Sequence, residues 1–308
     1  MDFIKIPSRF VADAKNSALV KYKGIVELEY VDKEMLTHDT YLFRFALPER
    51  NLVLGTNVAN NVRFNSIIPT YEFPEGELVR KKYTPTSPIN QQGVVDFPIK
   101  IYRAGTNPDF PYGGKMTTFL ENLKPGDKIT ADGPYKRYQY FGNNLFRANE
   151  FVNVKHMGFV AGGTGITPFY PIIKNALENG DDVKINLLYW NKTENDIIFK
   201  TELDDLQKQF SDRFQLFHCI SNPIKNHADF DIEKIGHVDA ELIKKTMPEP
   251  SKKFINSIFS IDIGNIVMNM GPKGMNELFG RIVVENTQYD PKTMIVSKAV
   301  NKLLSQYN

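Results

Sequence analysis

The segment 159–168, which reads F-V-A-G-G-T-G-I-T-P, constrains the fold of this chain more than any other stretch. Apolar residues before the glycines are typical of a short strand, and the segment 169–177 after them has helical spacing. A strand, a glycine turn and a helix together direct backbone N–H groups and a helix N-terminus toward a phosphate. The last position of the G-x-G-x-x-G fingerprint is occupied by Pro168, so this is not that motif. The pattern predicts a phosphate site, with a tight βα turn that binds no ligand as the alternative.

The composition excludes several classes of protein. The chain has 308 residues, 42% hydrophobic and 24% charged, which is enough for two globular domains. A formal net charge of +2 gives no support for binding nucleic acid. No apolar run approaches the roughly 20 residues that a membrane span needs, although peripheral association with a membrane stays open. The first residues lack the apolar core of a secretory signal. We therefore expect an intracellular protein, cytoplasmic or mitochondrial, that is not secreted.

A single cysteine, Cys219, limits the redox chemistry of the chain. It cannot form an internal disulfide, and one thiol excludes an iron–sulfur cluster held by four. The apolar segment 214–220 around it predicts a buried strand, so we expect Cys219 to pack in the core. The five histidines show no metal-binding spacing, and no metal site is expected. Any redox role would need a bound organic cofactor.

Short alternating segments separated by glycine and proline turns occupy the first half of the chain. They predict an antiparallel β-barrel, interrupted by a helix at 115–123. We assign residues 1–21 to an N-terminal lead-in, 22–140 to the barrel domain and 141–155 to a linker. The strands expected in the barrel are 26–31, 41–47, 58–64, 97–102 and 128–131.

From Met157 onward, β and α segments alternate, which predicts a parallel sheet with crossover helices over residues 156–283. Ligands of such sheets bind beyond the carboxyl ends of the strands. The glycine turn, the segment 190–196 and the segment 270–272 would meet there, which supports a nucleotide site. In the C-terminal extension, 284–308, apolar spacing between 295 and 304 predicts an amphipathic helix. That helix would pack on its own domain or bind a partner.

Two segments of the first domain place positive charge beside turn residues. R-K-K-Y-T-P-T-S at 80–87 is, taken alone, typical of an exposed basic turn. In G-G-K-M-T-T at 113–118, glycines open a helix and Lys115 adds charge, which indicates a second anion site. One phosphate-directed helix start in each domain suggests two nucleotides.

In their order along the chain, these motifs resemble those of the ferredoxin–NADP reductase superfamily, most closely its NADH–cytochrome b5 reductase branch. The resemblance covers roughly residues 22–280. It rests on Y-T-x-x-S, I-K-I-Y, F-P-x-G-G-K-M-T, an acidic G-P, A-G-G-T-G-I-T-P, L-Y-W-N-K-T-E-N-D-I and G-P-K-G-M. It implies a β-barrel FAD-binding domain followed by an α/β parallel-sheet NAD-binding domain, with FAD and NADH as cofactors.

The resemblance also implies roles for individual residues. Thr84 is the implied catalytic residue, near the flavin atom that accepts hydride. Asp196 would lie near the adenine ribose, where a carboxylate accepts hydrogen bonds from the 2′-OH and repels a 2′-phosphate, and Thr167 would face the flavin. The implied FAD ligands are Arg80, Lys81, Tyr83, Thr84, Pro85, Ser87, Lys100, Tyr102, Gly114, Lys115, Met116 and Thr117. The implied NADH ligands are Gly163, Thr164, Gly165, Asp196, Gly271, Pro272 and Met275, and Thr167 is the residue of the second domain implied to contact the flavin.

The chain departs from the family pattern at three places. In R-x-Y-T the arginine position holds Lys81, a point charge instead of a bidentate fork, and Arg80 lies one residue too early. Met270 replaces the cysteine of C-G-P, and the glycine expected after the acidic G-P is absent from 133–138.

Two functions are consistent with these residues. The first is an FAD-dependent oxidoreductase that takes hydride from NADH and passes electrons to a one-electron protein acceptor such as a cytochrome b5-like haem protein. The second is a catalytically weakened, reductase-like accessory or structural subunit of a larger complex, for example a mitochondrial respiratory one.

Overall fold

The computed structural model describes residues 14–70, 72–107, 110–136, 138–147, 151–224, 231–249 and 262–286. The chain divides into two compact units between Phe141 and Gly142. Within the described ranges, no helix is both long enough and apolar enough to cross a membrane. The amphipathic helix predicted between 295 and 304 lies outside the described residues.

The first unit contains a six-stranded antiparallel sheet in the order β4-β3-β6-β1-β2-β5. A 3-10 helix (Ala14–Asn16) and the short helix α1 (Ala18–Lys21) precede it. The helix α2 (Lys115–Glu121) lies between β5 and β6 in the chain, and the two-residue strand β7 (Gln139–Tyr140) follows β6. The strands of the sheet are β1 (Ile25–Met35), β2 (Thr40–Ala46), β3 (Asn61–Ile68), β4 (Glu77–Tyr83), β5 (Val94–Lys100) and β6 (Lys128–Tyr135).

Alternation of side chains builds the core of this unit. In β1, Val26, Leu28 and Tyr30 are buried, while the residues between them are exposed. Phe64 on β3 and Phe97 on β5 have ring centroids 4.9 Å apart, although three strands separate β3 from β5 in the sheet. The sheet therefore curls around one aromatic core, and the antiparallel β domain predicted from the sequence is confirmed.

The strand β4 is the main element that the pattern did not predict. It is an edge strand in which only Val79 is buried, so it lacks the apolar alternation of a half-buried strand. The segment 80–87, interpreted as a basic turn, therefore begins as a strand and becomes irregular only after Tyr83.

The second unit has a parallel sheet in the order β13-β9-β10-β11-β12, with β8 antiparallel to the start of β9. Its strands are β8 (Leu145–Arg147), β9 (Phe151–Gly162), β10 (Lys184–Asn191), β11 (Phe214–Ile220), β12 (Lys234–Ile235) and β13 (Asp262–Met270). Its helices are α3 (Phe169–Glu178), α4 (Lys200–Gln209), α5 (Ala240–Thr246) and α6 (Lys273–Asn286). The predicted parallel α/β domain is confirmed.

The stretch 141–155, interpreted as a linker, contains β8 and the first residues of β9. Although this stretch is rich in polar residues, the side chains of Phe146 and Val154 are wholly buried and pack within the second unit. Cys219 lies in β11 and is buried, as expected. Burial raises the pKa of its thiol to about 12, so the thiol stays protonated at neutral pH.

The order of the parallel strands locates the ligand-binding edge. β9 has β10 on one side and β13 on the other, so the chain leaves β9 in one direction and later returns on its opposite side. In open α/β sheets, ligands bind at such a switch point, beyond the carboxyl ends of the strands. Here those ends are Gly162 and Met270.

We predict that Phe64→Ala lowers the free energy of unfolding by about 3–5 kcal/mol, because it leaves a cavity in a closely packed core. The Phe64 side chain is fully buried against Phe45, Tyr83 and Phe97. Urea denaturation followed by tyrosine fluorescence and circular dichroism measures the change. Phe73→Ala is the matched control, since Phe73 is 52% exposed. Equal losses in the two variants would contradict this account of the core.

Candidate nucleotide-binding sites

In the second unit, the glycine turn follows directly from the central strand. β9 ends at Gly162, a 3-10 helix spans Gly163–Ile166, and α3 begins at Phe169. Gly163 has a φ of +51°, which favours glycine, and nothing lies within 4 Å of where its Cβ would be. Thr164 and Thr167 are half-buried beside it. This open turn before a helix has the form of a pyrophosphate cradle.

The buried side chain of Tyr189 holds that turn in place through hydrogen bonds. The Tyr189 hydroxyl donates a hydrogen bond to the Gly163 carbonyl at 3.0 Å and accepts one from the Ile198 N–H at 3.2 Å. Burial raises the pKa of this hydroxyl above its usual range, so it keeps its proton. No sequence pattern indicates this role, because Tyr189 lies within an apolar strand.

The glycine turn packs against the turn that follows β13. A Cβ on Gly165 would lie 2.0 Å from the Met270 carbonyl oxygen, and one on Gly162 would lie 2.1 Å from the Met275 sulfur. A Cβ on Gly271 would lie 2.5 Å from the same sulfur. Gly165 is therefore required for contact between the two turns, because the clashing atoms belong to the backbone, whereas a side chain at Gly162 or Gly271 would displace the Met275 side chain. Gly163 is the glycine that faces open space.

The remaining residues predicted to bind NADH lie at the same edge of the sheet. Pro272 is exposed and Gly271 is partly exposed, whereas Met275 is 9% exposed and packs against Gly162. Asp196 lies in the turn after β10, where its Oδ2 accepts hydrogen bonds from the Thr193 N–H at 3.0 Å and the Thr193 hydroxyl at 2.6 Å. This capping box holds the carboxylate in place at the carboxyl edge.

In the first unit, the segment after β4 is tied to β5. The Ser87 Oγ accepts a hydrogen bond from the Asp96 N–H at 3.1 Å, and the Asp96 carboxylate binds Arg44 through two contacts of 2.8 and 3.1 Å. Between these anchors and Tyr83, Thr84 is half-buried and Pro85 is buried. Burial raises the pKa of the Tyr83 hydroxyl above its usual range. The predicted flavin segment is thus held in a fixed conformation.

The start of α2 forms a second glycine turn. Gly113 has a φ of +85°, and the Gly114 N–H donates to the Tyr102 carbonyl at 2.8 Å. The Thr117 hydroxyl accepts from the Tyr102 N–H at 3.3 Å and donates to the Gly114 carbonyl at 3.1 Å. Thr117 and Tyr102 therefore hold the turn, and the first N–H groups of α2 have no acceptor within the helix.

Three of the residues predicted to bind FAD have other contacts in this unit. Lys115 forms an ion pair with Glu77 at 2.5 Å, which raises the pKa of the lysine and lowers that of the glutamate. Lys100 forms an ion pair with Asp39 at 2.7 Å. Met116 is 1% exposed, so only its backbone could face a phosphate. Sequence patterns did not predict that Glu77 and Asp39 pair with these lysines, because the paired residues are remote from each other along the chain.

Comparison with known proteins matches both units. A model of the oxidoreductase FAD-binding domain matches residues 27–140, and a model of the oxidoreductase NAD-binding domain matches residues 159–278. NADH–cytochrome b5 reductase 2 of Mus musculus is 37% identical over 233 residues, which are 73% of this chain and 81% of that protein. NADH–cytochrome b5 reductase 1 of Bos taurus is 32% identical over 86% of this chain and 83% of its own length.

Solved structures agree with these matches. The crystal structure of the cytochrome b5 reductase domain of Ulva prolifera nitrate reductase has a TM-score of 0.76 and 28% identity, covering 89% of this chain and 97% of that one. Ferredoxin–NADP+ reductase from Plasmodium falciparum, at 19% identity and a TM-score of 0.56, shares the fold.

The chain belongs to the ferredoxin–NADP reductase superfamily, in its NADH–cytochrome b5 reductase-like branch. Its cofactors are FAD and NADH. The residues present fit both groups, since each unit has a glycine turn that opens a helix. In the second unit the space beside Gly163 is open, and in the first unit the close contacts of Gly113 and Gly114 with Tyr102 and Thr117 leave no space for a side chain at the turn.

Strand geometry distinguishes the two basic residues, Arg80 and Lys81, that could take the place of the arginine of the family's R-x-Y-T motif. The β3–β4 ladder runs without a break from Val62↔Tyr83 to Ile68↔Glu77. Because side chains alternate along a strand, Lys81 lies on the face of Tyr83, and Arg80 lies on the opposite face. Lys81, and not Arg80, therefore shares a face with Tyr83, while the binding of FAD by either residue stays a prediction.

We predict that Gly165→Ala destabilises the second unit by about 1–3 kcal/mol or more, because backbone atoms occupy the space that its Cβ needs. The change also separates the two turns and weakens binding of NAD+. Thermal unfolding and calorimetric titration measure the two effects. The control is Gly274→Ala in α6, where nothing lies within 4 Å of the new Cβ and helix propensity favours alanine. A harmless Gly165→Ala would refute the close packing of the turns.

We also predict that Lys81→Arg tightens FAD binding by about tenfold, since a guanidinium offers a bidentate contact to a phosphate. Titration of the FAD-free chain with FAD, followed by quenching of flavin fluorescence, measures the affinity. Lys82→Arg on the opposite face of β4, where the Lys82 ammonium lies 4.0 Å from the centre of the Tyr135 ring, serves as the control. An equal gain from Lys82→Arg would show that net charge, not position, determines the affinity.

Proposed function

We propose that this chain is an FAD-dependent oxidoreductase that takes hydride from NADH and passes electrons to a one-electron protein acceptor such as a cytochrome b5-like haem protein. The observation that carries the proposal is the presence of one glycine-opened helix start in each unit, within the parts of the chain that match FAD- and NAD-binding domains. Its relatives, which are named NADH–cytochrome b5 reductases, support the reaction and the acceptor class.

FAD, when bound, supplies the exchange between a two-electron hydride donor and a one-electron acceptor. The chain itself would bind and orient it. We assign to Thr84 the contact nearest the reacting part of the flavin, with its segment fixed by the Ser87–Asp96–Arg44 contacts. Tyr83 stays protonated at neutral pH because burial raises the pKa of its hydroxyl, so this group would act as a hydrogen-bond donor.

The choice of NADH over NADPH follows from a fixed negative charge. Asp196 is held by Thr193 at the carboxyl edge of the parallel sheet. A carboxylate there would accept hydrogen bonds from a ribose 2′-OH and repel a 2′-phosphate. On the acceptor side, the exposed basic residues Arg80 and Lys82, which share the other face of β4, favour a partner with an acidic surface.

A second function, a reductase-like accessory subunit of a larger complex, is favoured by Lys81 and Met270. These two residues replace groups that the family resemblance places at the FAD phosphate and beside the nicotinamide. In such a subunit, nucleotide binding would persist for stability while turnover is lost.

We expect the purified chain to take up FAD, to show its flavin absorbance band and to lose that band when NADH is added without oxygen. NADPH at the same concentration should bleach it far more slowly. Oxidised cytochrome b5 added next should become reduced as the flavin band returns. A chain that takes up no FAD would overturn the proposal. A yellow chain that NADH does not bleach, and that leaves native extract only with a complex, would establish the accessory function instead.

A further inference from the structure

A buried pair of amide side chains connects β13 to α6. Asn269 in β13 is 1% exposed and donates from Nδ2 to Oδ1 of Asn276 at 2.8 Å. Asn276 in the first turns of α6 is 7% exposed and donates from Nδ2 to the Gly271 carbonyl at 2.7 Å. Its backbone N–H donates to the Pro272 carbonyl at 3.0 Å. The side chain and the backbone of Asn276 thus hold two successive peptide groups of one turn.

Packing alone does not account for these amides. Their neighbours Val267, Met275 and Phe279 belong to an apolar cluster between the sheet and the helices. An apolar pair of similar volume would fill such a position without the cost of burying polar atoms. Here the two amides instead form a hydrogen-bond relay. Asn269 donates to Asn276, and Asn276 donates to the Gly271 carbonyl at the ligand-binding edge. The relay therefore fixes the orientation of the Gly271 peptide.

The orientation of that peptide affects the neighbouring glycine turn. A Cβ on Gly271 would lie only 3.3 Å from the Gly162 Cα, and the Met275 sulfur contacts both glycines. Gly271 and Pro272 also form the exposed end of the β13 turn. A rotation of the Gly271 peptide would move the exposed surface of the turn after β13. It would also disturb the contact of that turn with the glycine turn after β9.

We propose that Asn276, oriented by Asn269, is a positioning residue that sets the Gly271–Pro272 turn for the nicotinamide half of NADH. The identity of the ligand rests on the proposed function. The residue acts through the backbone of the turn and does not itself touch the reacting atoms. The adenine half of the nucleotide, held at the other end of the site, does not depend on it.

Three variants of the full, FAD-loaded chain separate positioning from stability. Asn276→Leu removes the hydrogen bond to Gly271, and Asn269→Leu removes the amide pair but leaves that bond. The double variant removes both amides and leaves no unpaired amide from the pair. Calorimetric titration with NAD+ and with ADP-ribose, which lacks nicotinamide, measures binding to each half, and thermal unfolding measures stability.

We expect Asn276→Leu to weaken NAD+ binding roughly three- to tenfold, the effect of losing one buried hydrogen bond, with ADP-ribose binding unchanged. Asn269→Leu should lower Tm by a few degrees and keep NAD+ binding within about twofold of the wild type. The double variant should recover part of the lost Tm and still bind NAD+ weakly. Where turnover is measured, KM for NADH should rise more than kcat falls.

Wild-type NAD+ affinity in Asn276→Leu or in the double variant would overturn the inference while leaving the proposed function intact. An equal loss of NAD+ and ADP-ribose binding would also overturn it, because it would indicate general damage to the unit. A wild-type chain that binds neither ligand would overturn the NADH site itself and the inference with it.

Discussion

The ligand-binding edge of the second unit depends on the close approach of two backbone turns. β9 and β13 are neighbouring parallel strands, and the chain leaves each of them through a turn at the same edge. With a Cβ on Gly165 only 2.0 Å from the Met270 carbonyl, the two turns can meet only if glycine occupies this place. That contact leaves Gly163 as the open glycine, so Gly165 serves packing while Gly163 leaves space for the predicted ligand.

Two of the basic residues at the predicted FAD site form ion pairs with carboxylates of their own unit. Lys115 pairs with Glu77 and Lys100 with Asp39, and the lysine side chains are partly exposed at 44% and 26%. Exposed ion pairs contribute little to stability, because solvent screens them. A phosphate bound at either lysine would compete with the carboxylate for the cation and would be repelled by that carboxylate.

Sequence patterns predicted those features that depend on local chemistry. Apolar alternation located strands such as β1, and the glycine spacing located the turn after β9 because only glycine tolerates that geometry. The edge strand β4 and the buried strand β8 were missed, since their side chains carry no regular pattern of burial. The pairing of Lys115 with Glu77 and of Asn269 with Asn276 arises from tertiary contact, which spacing along the chain does not encode. Strand register likewise places Lys81 and Arg80 on opposite faces of β4. The sequence alone, in which the two residues are consecutive, could not distinguish them.

Met270 shows why nucleotide binding and hydride transfer can diverge in this chain. The group that Met270 places against Gly165 is its backbone carbonyl, which any residue provides. Replacement of the family's cysteine therefore leaves the packing of the two turns intact, and with it the glycine turn that we predict to bind the pyrophosphate. The side chain is partly exposed at the same edge, where the family resemblance places the nicotinamide. A substitution at this position changes the surroundings of the reacting ring without disturbing the backbone that holds the rest of the dinucleotide. We therefore expect nucleotide binding to be the more robust property of the site, and hydride transfer to be the property that the side chain of Met270 affects.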